Sequence, residues 1–404
     1  MVCIVSCIEE DWGGSEELWA RALPYLGQQG PISIVKEHIP LAHPLWQAFA
    51  HSGIDLVELE DKYGTFYHLF WQARQACGFA QDFQVHLWNF KKLLKRKKPN
   101  MVVISQGINF DGLAYAEACL KRRIPYILVC QKVVDFHWPK DVERKTMQKS
   151  LLGARKIFFV SEHNRRMTEM QFATVLPHAV MVHNPVKVGR RVLPYPAIDG
   201  EVRLLCLARL FMLDKGQDML LQVLSKEKWR RRGLRVDFVG QGADELPLKQ
   251  MAAEYCPDQV AFLGSYNDIE ALWANYHALI LPSRSEGMPL SAQEAMALGR
   301  PVLCTNVGGN AELVQDGIQG FVGSADITGI DQMLERAWAR KADWEEMGRA
   351  AHQRIKDFVP PHPEKIFAQH VLQLMADTRL TKVRGAVRRK DFSKSLNESS
   401  AQEN

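Results

Sequence analysis

The chain has 404 residues, 47% of them apolar and 24% charged, with a formal net charge of +5. That length accommodates two ordinary domains with cores of their own, and the composition excludes a collagenous, disulfide-stapled or wholly disordered chain. No stretch is long and apolar enough to span a bilayer, and the folded body is too nearly neutral for a nucleic-acid binder held by bulk charge.

Met1-Val2-Cys3-Ile4-Val5-Ser6-Cys7-Ile8-Glu9-Glu10 lacks a basic n-region and soon meets acids. It predicts a first β-strand rather than a signal peptide, in a cytoplasmic protein. Asp11-Trp12-Gly13-Gly14-Ser15-Glu16 follows, with Ser15 expected to cap a helix and Pro24 expected to kink it or end it early. Further strands are predicted at Ile32–Glu37, Met101–Ser105, Tyr126–Cys130 and Ile157–Val160. Lys91 to Lys98 holds six cations in eight residues, and Phe83, Leu87, Phe90 and Leu94 give it one apolar face. This reads first as a core-facing helix with a solvated basic back. The functional alternative is peripheral contact with an anionic membrane.

Lys187–Gly200 has proline, glycine and charge but little periodicity. It reads as a linker (187–200) between an amino-terminal domain, 1–186, and a carboxy-terminal domain, 201–362. The second series of strands falls at Arg203–Leu207, Arg235–Val239, Val260–Leu263, Ala278–Leu281 and Val302–Thr305. A last helix is expected over 363–376. Residues 378–404 carry seven Lys/Arg against three acids, most of the chain's net charge, and read as a disordered tail that would strengthen the membrane contact. The eight cysteines form no CxxC pair and no zinc-spaced cluster, so they read as reduced thiols.

Strands alternating with helix-period segments predict parallel α/β layers. Two doubly wound domains facing each other would aim their strand carboxyl ends at one cleft, where ligands bind. The loops expected there carry Gly13-Gly14, Arg209 with Lys215-Gly216, Gly240-Gln241-Gly242, Glu286-Gly287-Met288-Pro289 and Gly308-Gly309. Arg209 and Lys215 share one loop and suit a diphosphate. Negative charge grows on such a leaving group as its bond to a sugar breaks, and fixed cations favour that state. Pro289 is expected at the first helical position, with Gly299 and Pro301 ending the helix. The helix start is then a phosphate cradle with a carboxylate on either side. Glu294 suits two ribose hydroxyls, and Glu286 suits sugar hydroxyls near the reacting carbon.

Glu286-x7-Glu294, Pro282-Ser283, Gly299-Arg300-Pro301-Val302 and Gly308-Gly309-x-x-Glu312 together resemble the retaining GT-B glycosyltransferases of family 4. Ala208-Arg209-Leu210 with Lys215-Gly216, Val239-Gly240-x-Gly242, Ser161-Glu162 and Asn184-Pro185-Val186 extend the likeness. It covers about residues 1–376 and is most specific from Leu204 to Val322. The resemblance implies an α/β GT-B architecture, two Rossmann-like doubly wound domains facing a central cleft, with the last helix crossing back to the first domain. It implies transfer of a sugar from a nucleoside diphosphate sugar, UDP before GDP, to a carbohydrate or lipid-linked acceptor with retention of configuration. It also implies that no metal or other cofactor is needed. Arg209, Lys215 and Glu286 would be catalytic. Gly13, Gly14, Gly240, Gly242, Gly287, Met288, Pro289, Leu290 and Glu294 would bind the donor. Many members end the strand matching Ile124–Cys130 with histidine; here Gln131 follows, able to orient a sugar hydroxyl but not to carry a proton at neutral pH.

Two rival readings remain at this stage: a nucleotide-sugar epimerase of the same fold, and a non-catalytic sugar-nucleotide-binding subunit of a transferase complex. A Rossmann dehydrogenase is disfavoured, because Gly240-Gln241-Gly242 lacks the third glycine of the dinucleotide fingerprint.

Overall fold

The computed structural model describes residues 1–59, 84–266 and 268–377. Phe83 and the tail 378–404 lie outside the described residues, and so do the expectations placed on them.

The chain builds two wholly parallel sheets. The first runs β3-β2-β1-β4-β5-β6-β7, from β1 (Val2–Ser6), β2 (Ile32–Lys36), β3 (Asp55–Glu58), β4 (Met101–Gln106), β5 (Tyr126–Cys130), β6 (Ile157–Phe159) and β7 (Ala179–Met181). The second runs β10-β9-β8-β11-β12-β13, from β8 (Val202–Leu207), β9 (Leu234–Val239), β10 (Val260–Phe262), β11 (Ala278–Leu281), β12 (Val302–Thr305) and β13 (Gly320–Gly323). Each order reverses beside its first strand, which opens a crevice between β1 and β4 and between β8 and β11.

The inner strands are continuous apolar runs because helices cover both faces. Every residue of β1, β4, β5, β11 and β12 is buried. The sequence reading missed β3, β7 and β13, and all three are edges. Asp55-Leu56-Val57-Glu58 is exposed at both ends, and β13 is bounded by Gly320 and Gly323. An edge strand has one partner and a wet side, so it lacks the apolar run that marks an inner one.

Two local expectations need correction. The helix Glu17–Gly27 passes through Pro24 and persists to Gly27; its apolar face, with Leu18, Trp19, Ala22, Leu23 and Leu26 buried, outweighs the lost hydrogen bond. Ser15 does not cap it; Glu16 stands at the N-cap and makes no side-chain cap. On the basic helix Val85–Lys97, Phe90, Leu93 and Leu94 are buried in the first sheet's own core. That apolar face is therefore filled, and only the basic back remains outside, with Lys92 Nζ 3.2 Å from the Trp88 ring centroid.

Between β7 and β8 the chain has no helix or strand, yet it is pinned to the second sheet's helices. The buried Arg300 guanidinium donates to the carbonyls of Tyr276 (2.8 Å), Pro194 (2.7 Å) and Leu193 (3.3 Å). Among the described residues no carboxylate bonds it, and backbone oxygens take the place of solvent. The last helix, 363–377, buries Phe367, Ala368 and Val371, and Phe367 meets Phe158 of β6 with ring centroids 5.1 Å apart. Among the described residues, no helix is long and apolar enough to cross a membrane.

Candidate active site

Because all strands are parallel, their carboxyl ends in both sheets open on one cleft of about 1880 Å³. That is larger than an ordinary small-molecule pocket of about 300–1,000 Å³, and has room for two substrates side by side. From the first sheet it is lined by Gly13, Gly14, Asp111, Gln131 and Lys132; from the second by Arg209, Lys215, Gly240, Gly242 and the run Glu286–Ser291 with Glu294. The residues expected from the sequence to bind or activate a donor thus lie on this one wall or its opposite, with Gly308-Gly309 the exception.

The second sheet's wall is built from its two switch-point loops. After β8 the chain passes Arg209 and makes one short helical turn, Met212–Lys215. Gly216 then takes φ +62°, where a Cβ would collide with the Pro282 carbonyl. The Asp214 carbonyl accepts the backbone N–H groups of Arg284 (2.7 Å) and Ser285 (3.0 Å), locking the β8 loop to the β11 loop. Lys215 Nζ consequently meets Glu286 Oε1 at 2.7 Å, and Ser283 Oγ donates to the same oxygen at 2.7 Å. Glu286 and Lys215 are both largely withdrawn from water, so each fixes the other. Gly240 and Gly242 lie against the carbonyls of Ala208 and Leu210 and so support the loop that carries Arg209.

Pro289 is the N-cap rather than the first helical residue; the helix is Leu290–Ala297. It closes with Gly299 N–H to Met296 O at 3.0 Å and Arg300 N–H to Ala295 O at 2.8 Å, the paired bonds of a glycine-ended helix. Glu294, in its second turn, is 4% exposed, and its Oε1 has no hydrogen-bond partner. Burial pushes its carboxyl up to about 7, with Lys187 drawing it back down. A buried acceptor left without a donor is costly, and this one stands where a ligand's hydroxyls would supply donors. Gly308 and Gly309 are not in the cleft wall. They lie beneath it, with Gly309 N–H donating to Gly287 O at 2.7 Å.

The opposite wall has a different character. Gly14 touches Leu290, so the β1 loop closes directly over the start of the helix. A plug of Trp12, Trp19, Trp46 and Phe49 stiffens that loop from below, and Trp46 Nε1 donates to the Asp11 carbonyl at 2.8 Å. Gln131 faces the cleft, but its amide is engaged. Nε2 donates to Ser15 O at 3.2 Å, and Oε1 accepts from Asn184 Nδ2 at 2.8 Å. What remains for a sugar hydroxyl is the second acceptor position of Oε1.

Sequence reasoning missed several groups here. Glu10 pairs with Arg209 across the cleft, and Lys132 Nζ bonds Asp214 Oδ2 at 2.6 Å. Asp111 accepts the N–H groups of Gly107 and Ile108 at 3.0 Å each, yet burial still pushes it up to about 7. Glu312 reaches from the second domain to cap the helix Glu162–Phe172 of the first, accepting Glu162 N–H (2.9 Å) and His163 N–H (2.7 Å). A carboxylate at a helix start satisfies orphan donors and meets the positive end of the dipole. The sequence signals were of position: Lys132 stands two residues past a strand end, and Asp214 lies between Arg209 and Lys215.

Residues 201–339 match the family model for Glycosyl transferases group 1. An uncharacterised glycosyltransferase of Haemophilus influenzae is 35% identical over 123 residues, 30% of this chain and 34% of that protein. The GDP-mannose-dependent alpha-(1-6)-phosphatidylinositol monomannoside mannosyltransferase of Mycobacterium tuberculosis is 29% identical over 215 residues, 48% of this chain and 54% of its own length. The matches with the leading curated relatives span only 34%, 62% and 46% of those proteins. Among solved structures, Anabaena HepE in complex with UDP superposes with a TM-score of 0.70 at 14% identity, covering 92% of this chain and 99% of that one. The apo lipopolysaccharide outer core galactosyltransferase WaaB superposes at 0.65 with 17% identity, covering 92% and 99%. Two Rossmann-like parallel sheets facing a central cleft are the GT-B fold; through its carboxy-terminal domain, this GT-B chain is related to the group 1 glycosyl transferases.

Proposed function

We propose that the protein is a retaining glycosyltransferase that takes a sugar from a nucleoside diphosphate sugar and passes it to a hydroxyl of a glycan or lipid-linked acceptor. The observation that carries this reading is the unpartnered, buried Glu294 beside the Lys215–Glu286 pair and Arg209, all on one cleft wall. Glu294 would accept two ribose hydroxyls. The diphosphate would lie across the start of helix Leu290–Ala297, held by Arg209 and Lys215. Glu286 would face the donor sugar. Gly13, Gly14 and the Gly287–Leu290 backbone would let donor atoms approach closely.

In the reaction the bond between the anomeric carbon and the phosphate oxygen breaks. A bond from the acceptor oxygen forms on the same face, and the acceptor proton passes to the departing phosphate oxygen. Arg209 and Lys215 stabilise the charge that builds on that phosphate. Uridine is favoured as the base, since the structural neighbour HepE is seen with UDP and with UDP-glucose. Guanosine is second, as in the mannosyltransferase named above.

The first test is thermal unfolding of wild type and Glu294→Ala with UDP, GDP, ADP and NAD. A ligand at a hundred times its Kd adds about 2.7 kcal/mol of stability. Stabilisation of wild type by one nucleoside diphosphate, reduced in the variant, supports the donor site. A response to NAD alone, or to none, overturns it. Acceptor-dependent release of that nucleotide then separates transfer from epimerisation and from a non-catalytic subunit.

The exposed basic back of helix Val85–Lys97 supports peripheral contact with an anionic membrane at its cytoplasmic face. Reversing Lys92, Lys95 and Arg96 to glutamate should lower co-sedimentation with phosphatidylserine vesicles. Equal sedimentation would remove the membrane contact from this helix.

A further inference from the structure

The cations of the cleft do not all come from the second domain. Lys132 stands two residues past β5 in the first, and its side chain is mostly withdrawn from water. Its two ends touch the two parts of the donor site. At the root, the Gln131–Lys132 backbone is pressed onto Gly287. A Cβ there would collide with the Gln131 carbonyl and lie 3.4 Å from Lys132 Cα. At the tip, Nζ bonds Asp214 Oδ2 at 2.6 Å, and Arg209 Nη2 stands 3.8 Å from that same oxygen. The side chain therefore runs from the phosphate-cradling segment Gly287–Leu290 to the Arg209 loop, across the span a diphosphate would occupy.

The charge balance points the same way. Across the cleft Arg209 is paired with Glu10, Lys215 with Glu286, and Lys132 with Asp214. Each cation already has a carboxylate. A diphosphate carries two or more negative charges and must draw cations away from these partners. Lys132 and Lys215 are about equally withdrawn from water, and each has a four-carbon stem and one carboxylate partner. They differ in what stands by that partner: Asp214 keeps Arg209 Nη2 at 3.8 Å when Lys132 turns away, whereas Glu286 would keep only the neutral Ser283 hydroxyl.

Resting on the donor-site reading above, we propose that Lys132 is a third donor-diphosphate ligand. It exchanges Asp214 for the phosphate farther from the nucleoside, and so tethers the first domain to a donor bound on the second. The sugar-bearing phosphate is the leaving group, so the cation would act on the charge that grows in transfer as well as on binding.

The experiment is calorimetric titration of the full chain, as wild type, Lys132→Gln and Lys132→Arg, with UDP and with UMP. Lys132→Gln should weaken UDP about tenfold, the scale of one lost charge-assisted hydrogen bond. UMP, which lacks the second phosphate, should bind all three proteins alike, and Lys132→Arg should recover most of the UDP affinity. A misfolded or merely loosened variant would lose UMP and UDP together, and that result overturns the proposal. Unchanged UDP binding in Lys132→Gln overturns it too, while leaving the donor site standing. Failure of wild type to bind either nucleotide overturns the donor-site reading and this inference with it.

Discussion

At the switch point of the second sheet, oppositely charged groups meet at bonding distance. Lys215 holds Glu286, Asp214 holds the β11 loop through its carbonyl, and Arg209 stands at the rim. At the switch point of the first sheet, burial outweighs what offsets it, Lys36 beside Glu16 and backbone N–H groups on Asp111, and pushes both carboxyls up to about 7. The strand order around the two crevices is otherwise the same. One fold has thus been given two kinds of lining. The second domain presents charges already fixed in place, which suits a ligand of constant charge such as a diphosphate. The first contributes Asp111, with a carboxyl that burial raises to about 7, and the Trp12 ring, with Glu10 and Lys132 reaching across to the second domain's charges.

Breaking the fixed pair should have the largest effect. Lys215→Met is expected to lower kcat by about 100-fold, the usual scale for one electrostatic group in a transition state. It also leaves Glu286 buried without its partner, which lowers the melting temperature. Adding Glu286→Gln should recover the melting temperature and none of the rate. Activity in the double variant would show that the pair is structural only.

Next is Glu294. Glu294→Ala should weaken UDP binding about tenfold, as loss of a bond to a charged acceptor does. The sign of its pH effect is definite. Between about 4.5, its ordinary value, and about 7 the folded chain keeps a proton that the unfolded chain has lost. Stability therefore falls as pH rises through that window. Glu294→Gln should remove that fall, so its melting temperature gains on wild type most above pH 7.

Glu312→Ala tests the contact between the two domains. Loss of a helix cap costs about 1 kcal/mol, a drop of about 2–4 °C for a domain of this size. Because the cap bridges domains, donor KM should also rise. A lower melting temperature with unchanged KM would make the cap a local brace alone.

The smallest effect is expected from Asp111→Asn, on the first domain's side. Between 3.8 and about 7 the folded chain again holds the extra proton, so stability falls with rising pH. The variant should melt higher than wild type above pH 7 and converge with it near pH 4. UDP affinity should not change; a change would erase the division between the two linings.

The division also decides what the sequence could disclose. The second domain's site is written locally: Arg209 and Lys215 are one loop, Glu286 and Glu294 flank one helix start, and glycines mark the close approaches. Inner strands were legible as apolar runs, and the edges β3, β7 and β13 were not. In the first domain Glu16, Lys36 and Asp111 become neighbours only through the sheet. No spacing announces such a cluster. Glu312 shows the same limit. In the sequence it was only the last residue of a glycine-rich motif, and its carboxylate is spent on backbone N–H groups 149 and 150 residues away.

The bond set around Arg300 bears on how this chain can be divided. The matched family segment begins at residue 201, and a fragment started there would lack Leu193 and Pro194. Two of the carbonyls that solvate a buried guanidinium would go with them. A shuffling experiment that joins this second domain to a foreign first domain should therefore place its seam before residue 187, because Gly189 and Arg191 already bind Glu270. The stretch that looks like a tether is the second domain's own first strap, and it has to travel with it.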